Sequence, residues 1–285
     1  MIFMDWNSRF IIIFLVVNLS LNVVAAQQDE NVSFWQNYGL PWGTAHVQVL
    51  DQNTQVQLTL DQYTGSAGFK SLQTFGSGWF SMKIKMPQKD STGVITTFYL
   101  RSEGKWDEVD FELLGGNGKE RPYVVHTNLI TNGETGREQQ FHLWFDPTAD
   151  FHNYTILWNS HQVVWFVDNK PVRVFKNNGG SFPRQAVSVI GTIWNGTWTS
   201  NGAPVNWNEG PFAAYYTGFG VNACPTQSIN GSHCSDDSTN YWWDAPKYWS
   251  LNPHQMKLYH YVRSKYMVYD YCSKNPTIPE CHVDP

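Results

Sequence analysis

Charge is what this chain has least of. Asp, Glu, Lys and Arg together make only 15% of its 285 residues. The Lys and Arg residues are scattered rather than clustered, and the net charge is −5, so there is no basic groove of the kind that nucleic acids need. Beyond the first 26 residues there is no long apolar run, so nothing after that point reads as a transmembrane helix. Internal repeats and low-complexity tracts are also missing. Cysteine is scarce, with four in all: Cys224, Cys234, Cys272 and Cys281. They form no C-x-x-C pair and have no matching His spacing, which argues against a structural zinc site. No metal and no organic cofactor is implied.

Aromatic residues, by contrast, are abundant at 16%, including 14 Trp and 14 Tyr. Part of that supply must fill a core. The rest suits stacking on the apolar C–H faces of sugar rings. The chain opens with a basic Arg9, an apolar run from Phe10 to Leu19 and small residues at Ala25 and Ala26, the pattern of a secretory signal peptide cleaved after Ala26. An uncleaved anchor is the alternative. In a secreted chain four cysteines imply disulfides, with three possible pairings. The local one, Cys224–Cys234 with Cys272–Cys281, closes two short loops and is the pairing we favour. Glycosylation sequons occur at Asn31, Asn153, Asn195 and Asn230, each only an acceptor possibility.

From residue 45 to 220 strand signals dominate. "HVQVL", "QVQLTL" and "GWFSMKIKM" alternate apolar and polar residues, and "YTILWN" and "VVWFVDNKPVRVF" read as a hairpin around Asp168-Asn169. Many short strands without intervening helices mean a β-sandwich or barrel. After about residue 220 the composition shifts. Leu258, Val262, Tyr266 and Tyr269 recur at helical spacing behind Asn252-Pro253, which predicts a C-terminal extension with one helix, stapled by disulfides. The organisation is thus a signal peptide over 1–26, a β-domain over 27–222 and an extension over 223–285.

The stretch "KWDEVDFELLGG" places Glu108, Asp110 and Glu112 at every second position, with Val109, Phe111 and Leu113 between them. On a strand these sets take opposite faces, one acidic and one buried. Like charges so close raise at least one pKa. Glycoside hydrolysis needs such a split, with one ionised carboxylate and one protonated carboxyl. A solvated strand face paired with Lys or Arg is the plainer reading of the same pattern. Glu108 and Glu112 have Cα atoms roughly 13 Å apart on a straight strand, so a retaining pair requires side chains that lean together, while an inverting pair is easier to build. A calcium loop counted from Asp107 fails, because Gly and Glu are not at its sixth and twelfth positions.

"DEVDFELLG" resembles the catalytic strand of the xyloglucan endotransglucosylase/hydrolases of glycoside hydrolase family 16. The resemblance spans nearly the whole mature chain, through "NYGLPWGTAHVQVL", "QLTLDQYTGSAGFKS", "VVHTNLITNGETGREQQFHLWFDPTADFHNYTILWN" and "KYMVYDYCSKNPTIPEC". It implies an all-β, concanavalin A-like jelly-roll sandwich with a concave cleft, and a retaining mechanism. By motif match Glu108 is then the nucleophile, Glu112 the general acid/base, and Asp110 the residue that hydrogen-bonds and tunes the nucleophile. The match also implies substrate contacts at His126, Thr127, Asn128, Gly136, Arg137, Glu138, Trp198 and Gly202, with Glu112 among them. Ordinary strand polarity and a buried Trp are the plainer alternatives there.

The chain departs from the family in four places. Trp106 stands where the family usually has His. On the Glu108 face it is either a stacking platform at one end of the cleft or a Trp that closes the strand edge. "GGNGKE" lacks the sequon common past the catalytic strand. "TIWNGTWTSNG" is a residue short, with Thr197 where an acid is usual. The Cys272–Cys281 segment is short and lacks an Arg glucan contact. These departures leave the chemistry intact and put strict xyloglucan preference in question. Three functions stay open: a secreted, cell-wall transglycosylase of a β-1,4-glucan backbone acting as a monomer on polysaccharide, a hydrolase of xyloglucan or mixed-linkage glucan, and a lectin-like binder whose catalysis has decayed.

Overall fold

Alternation along the chain becomes two stacked antiparallel sheets in the computed structural model, which describes residues 31–227, 234 and 241–282. The expected signal peptide and the Asn230 sequon lie outside the described residues. A short helix α1 (Phe34–Asn37) leads into β1 (Tyr38–Trp42), β2 (Val47–Leu50), β3 (Gln55–Leu60), β4 (Ser66–Ser71), β5 (Phe75–Lys85), β6 (Val94–Ser102), β7 (Glu108–Leu114) and β8 (Val124–Ile130). There follow β9 (Gln139–His142), β10 (His152–Trp158), β11 (Gln162–Val167), β12 (Lys170–Lys176), β13 (Val187–Asn195), β14 (Phe212–Thr217) and β15 (Asn222–Pro225). Helix α2 (Pro253–Tyr266), strand β16 (Met267–Asp270) and helix α3 (Tyr271–Lys274) complete the order.

The front sheet runs β1-β4-β13-β6-β7-β8-β9-β16. The back sheet runs β2-β3-β14-β5-β10-β11-β12, with β15 on a second stretch of β5. Among the described residues only the pair Val187–Phe75 joins the two ladders. Between the sheets lies the core. Val109, Phe111 and Leu113 are fully buried there, and the Phe111 ring meets Tyr154 of β10 edge-on at 5.5 Å. Each such burial contributes about 1.5–3 kcal/mol. A one-residue slip of β7 would expose all three and bury the acids, so the apolar set holds the acidic set on the outer face.

Asp168 and Asn169 both take left-handed backbone angles, φ 47° and 62°, and make the β11–β12 hairpin turn at the position the sequence predicts. The C-terminal helix also begins as predicted. The Asn252 side chain accepts from the His254 and Gln255 amides, Gln255 returns a bond to the Asn252 amide, and Pro253 sits at the first position. Its end differs from the expectation. Tyr269 is not helical, because the chain leaves the helix after Tyr266 and pairs with β9 as β16. The edge of β9 offers unpaired backbone groups, and β16 satisfies them. Val262 is fully buried as the spacing implies, but the second buried helix residue is Tyr259 rather than Leu258.

The extension is thus built into the front sheet. Arg263 Nη2 lies 2.8 Å from Asp270 Oδ2, its Nη1 donates to Gln139 Oε1 at 3.1 Å, and Gln139 Nε2 donates to Asp270 Oδ1 at 3.1 Å. The disulfides are the local pair, Cys224–Cys234 and Cys272–Cys281, with Cα separations of 5.8 and 5.6 Å. Of the described sequons, Asn31 and Asn195 are exposed, while Asn153 lies half-buried on β10, its Oδ1 accepting from Ser81 Oγ at 2.7 Å.

Since the helix and the sheet share these bonds, Asn252→Ala should lower the stability of the whole molecule. We expect a loss of about 1 kcal/mol in urea unfolding, in one transition that tryptophan fluorescence and far-UV circular dichroism report together. A separate early transition of helix signal alone would show the extension to be independent.

Candidate active site

Strand β7 sits near the middle of the front sheet. Its register sets Glu108 opposite Arg101 of β6 and Ile130 of β8, Asp110 between Tyr99 and Asn128, and Glu112 between Thr97 and His126. The outer face carries a cleft of about 430 Å³ lined by the three acids together with Thr97, Tyr99 and Arg101, and farther across by Thr192, Trp194, Ser66 and Trp42. Gly68 makes room for one wall: a Cβ there would lie 2.6 Å from the Trp42 ring and 2.8 Å from the Gly191 carbonyl. The start of β7 is anchored by Asp107, whose carboxylate accepts the amides of Asn132 at 2.7 Å, Arg184 at 2.8 Å and Gln185 at 3.0 Å.

The three acids have different surroundings. Glu108 Oε2 accepts the Trp106 indole N–H at 2.7 Å and lies 3.3 Å from Arg101 Nη1. Burial raises its pKa above the ordinary value, and the Trp106 hydrogen bond, the Arg101 charge and a hydrogen bond with Asp110 pull the other way. Asp110 is buried, and one of its oxygens, Oδ1, has no protein partner. Burial first, then the charges of Glu108 and Glu112, raise its pKa well above the usual range, and its hydrogen bond with Glu108 adds to this. When the pair holds one proton, that proton sits on Asp110, and Glu108 carries the charge.

Glu112 is pushed up to about 7, by burial first and then by the charges of Glu108 and Glu138. His126 Nε2 lies 3.5 Å from Glu112 Oε2. That contact is not an ion pair at neutral pH, because burial, and then the Arg173 charge, push His126 down to about 4. Gln140 Nε2 lies 3.0 Å from His126 Nδ1 and can only donate to it. This assigns the proton of the neutral ring to Nε2, facing Glu112.

The other predicted contacts divide. Asn128, Glu138 and Trp198 are on the cleft side of the sheet or at its rim: Asn128 stands beside Asp110, the charge of Glu138 reaches Glu112, and the Trp198 ring meets His126 edge-on at 5.4 Å. Gly202 takes a left-handed φ of 86° and closes the Trp198 turn through its amide to Thr197 O at 2.8 Å. Thr127 is not brought to the cleft. Period 2 sends it inward, fully buried. Arg137 is also buried, with Nε 2.6 Å from Glu280 Oε1 in the C-terminal extension and Nη1 on Glu134 O at 3.1 Å, while the neighbouring Gly136 takes φ 95°. As for Trp106, the Arg101 guanidinium lies over its ring, 5.2 Å from the centroid. Sequence reasoning missed Trp42, Thr97, Tyr99, Arg101, Thr192 and Trp194. The period-2 pattern of "TFYLR" sets Thr97, Tyr99 and Arg101 on one face, but only the pairing of β6 with β7 shows that this face carries the acids.

This geometry can be set beside known proteins. The family described as Glycosyl hydrolases family 16 matches residues 34–209, and the one described as Xyloglucan endo-transglycosylase C-terminus matches 237–281. Xyloglucan endotransglucosylase/hydrolase protein 3 of Arabidopsis thaliana is 42% identical over 96% of this chain and 98% of its own length. The chain belongs to the xyloglucan endotransglucosylase/hydrolase family. Protein 2 of the same plant and family is 45% identical over 87% of each chain. Among solved structures, an apo Crh5 transglycosylase superposes with TM-score 0.57 at 25% identity, over 71% of this chain and 87% of the other. A Bacillus licheniformis β-glucanase gives 0.56 at 20% identity, over 66% and 93%, a likeness of fold alone. This member of the family therefore keeps the jelly-roll sandwich and carries Trp106 against its acidic strand.

The Trp106 bond is testable. Trp106→Phe keeps the ring and removes the N–H donor to Glu108. A donor to a charged group contributes about 1.5–3 kcal/mol. The bond lowers the pKa of Glu108, so its loss raises it. The acid limb of the kcat/KM profile should move to higher pH, and turnover should fall by about 10-fold or more.

Proposed function

We propose that this protein is a retaining enzyme that cleaves the β-1,4-glucan backbone of xyloglucan and transfers the new end to another glucan chain. The observation that carries this reading is the split among three carboxyls on one strand face. Glu108 is held ionised by Trp106 and Arg101, Asp110 retains the shared proton, and Glu112 is protonated up to about pH 7. These are the two protonation states that double displacement needs. Relatives named as xyloglucan endotransglucosylases/hydrolases supply the substrate class.

In the first step Glu112 gives its proton to the leaving glucosyl oxygen as the glycosidic bond breaks, and Glu108 forms a bond to the anomeric carbon. Asp110 stabilises Glu108 as its charge is spent and returns. In the second step Glu112, now ionised, takes a proton from the incoming hydroxyl, and that oxygen displaces Glu108. A glucan acceptor gives transfer, and water gives hydrolysis. Trp42, Trp194 and Tyr99 line the cleft on one side of the acids, the path we assign to one glucan chain. His126, Asn128, Glu138 and the Trp198–Gly202 turn stand on the other side of the acids, where the second chain docks. We place the protein outside the cell, in the cell wall, as a secreted, glycosylated monomer. Two disulfides fit an oxidising compartment, and among the described residues no helix is long and apolar enough to cross a membrane.

The test incubates the secreted protein with xyloglucan polymer, with and without labelled xyloglucan oligosaccharide, and follows label incorporation alongside new reducing ends. Incorporation without reducing ends, abolished in Glu108→Ala, is the expected result. Reducing ends with little incorporation would make the enzyme a hydrolase, and neither signal would remove xyloglucan as substrate. The pH profile gives a second check. Glu112 acts as an acid only while protonated, so kcat/KM should fall as pH rises through about 7. In Glu112→Gln that basic limb should vanish together with most of the activity.

A further inference from the structure

Arg173, on β12, is turned into the core and is 1% exposed. A guanidinium stays charged even there. Its Nη1 donates to the Thr127 carbonyl at 3.0 Å and lies 3.3 Å from Thr127 Oγ1, while Nη2 is buried with no partner. Its flat face lies 4.7 Å from the centre of the Trp165 ring and 5.7 Å from that of Tyr271. It makes no ion pair among the described residues. Asp270, the acid on the extension side, is already bound to Arg263 at 2.8 Å.

Both of its anchors lead to the acidic strand. The Trp165 indole N–H donates to the Asp110 carbonyl at 3.0 Å. Thr127 pairs with Phe111 across β7 and β8, between His126, beside Glu112, and Asn128, beside Asp110. The cation thus stands directly behind the strand whose other face holds three carboxyls. We propose that Arg173 is a positioning residue for the reaction, the fixed countercharge on the core side of the sheet that keeps the Glu108–Asp110 pair carrying a negative charge. This rests on the retaining mechanism assigned above.

The low-polarity core lets a charge act over several ångströms without touching its partner. The groups that face Arg173 are Asp110 and His126 from the front sheet, and Asp270, Arg263, Tyr259 and Tyr271 from the extension. Asp110 in turn faces Glu108 and Glu112 on its own strand, Tyr99 on β6 and Asn128 on β8. Among these Arg173 is the cation that acts on Asp110, and it lowers its pKa. Without it the pair gives up its first proton at higher pH. Burial, Glu108 and Glu138 are what set Glu112, so its limb has no reason to move.

The test compares wild type with Arg173→Met and Arg173→Gln, two neutral replacements, and with Arg173→Lys, which keeps a cation. Removing a buried cation in favour of an apolar side chain of similar length is often well tolerated, so at least one neutral variant should fold. Two readouts are taken: the pH profile of kcat/KM on xyloglucan, and the titration of carboxyl carbons by NMR, assigned with Asp110→Asn and Glu108→Gln. The neutral variants should move the acid limb and the Glu108–Asp110 midpoints upward by about 0.5–1 pH unit, with the basic limb unmoved. Arg173→Lys should restore most of the shift. Variants that lose thermal stability while their midpoints stay at the wild-type pH would overturn the proposal, as would a Lys variant displaced as far as the neutral ones. The NMR titration needs no substrate. If xyloglucan is not turned over, the functional reading fails, and the countercharge is still decided.

Discussion

Carboxyls on one strand face, desolvated and close together, are the constraint around which this molecule is arranged. Glu112 shows its size. A carboxyl whose pKa rises from 4.5 to about 7 makes folding less favourable as pH rises between those values, because the unfolded chain releases the proton first. By pH 7 the loss is about 3 kcal/mol for that group alone. Asp110, more deeply buried, adds to it. The opposite face of the same strand works in the other direction: Val109, Phe111 and Leu113 are fully buried, and together they contribute on the order of 5–9 kcal/mol. The apolar set opposes the acidic one and fixes which face turns outward, so a strand with unfavourable outward chemistry is held in one register.

That register carries the rest of the site. Because β7 is paired on both sides, each acid meets a fixed pair of neighbours, and the neighbours are themselves anchored. Asp107 ties the start of the strand to three amides, Trp165 binds the carbonyl of Asp110 from behind, and Arg173 spans the two sheets to Thr127. The C-terminal extension belongs to the same frame. Through β16 it covers the open edge of β9, through Glu280 it binds Arg137, and its Tyr271 packs on the guanidinium behind the acids. It is physically continuous with the acidic strand rather than an appendage to it.

Much of this was legible in the residues. Period-2 alternation showed both faces of β7, Asp168-Asn169 marked the β11–β12 hairpin, and Asn252-Pro253 marked the helix start, since each depends on local chemistry alone. What escaped depended on strands far apart in the chain. Tyr99 and Arg101 share a face with the acids only because β6 lies next to β7, a fact of pairing that no local pattern carries. Tyr269 had the right spacing to continue a helix, and a free sheet edge claimed it instead. Thr127 sits within a stretch of family likeness, yet the same alternation that brings His126 and Asn128 to the cleft turns it inward. A motif matched as a block does not distinguish the two faces of its own strand.

The roles proposed within the acidic strand rest on asymmetry around it as well as on the motif match, since spacing alone leaves Glu108 and Glu112 equivalent. Glu108 receives a hydrogen-bond donor from Trp106, a cation from Arg101 and a proton-sharing neighbour in Asp110, all of which favour its ionised form. Glu112 is buried, with the negative charges of Glu108 and Glu138 nearby, and these leave it protonated, while the imidazole at 3.5 Å is neutral and brings no opposing cation. If His126 were cationic the two environments would converge, and the pair would lose the difference on which acid and nucleophile depend. Burial of His126 is therefore as much a part of the proposed catalytic arrangement as the carboxyls. It holds the ring neutral, so that Glu112 keeps the proton that the proposed mechanism delivers to the leaving sugar.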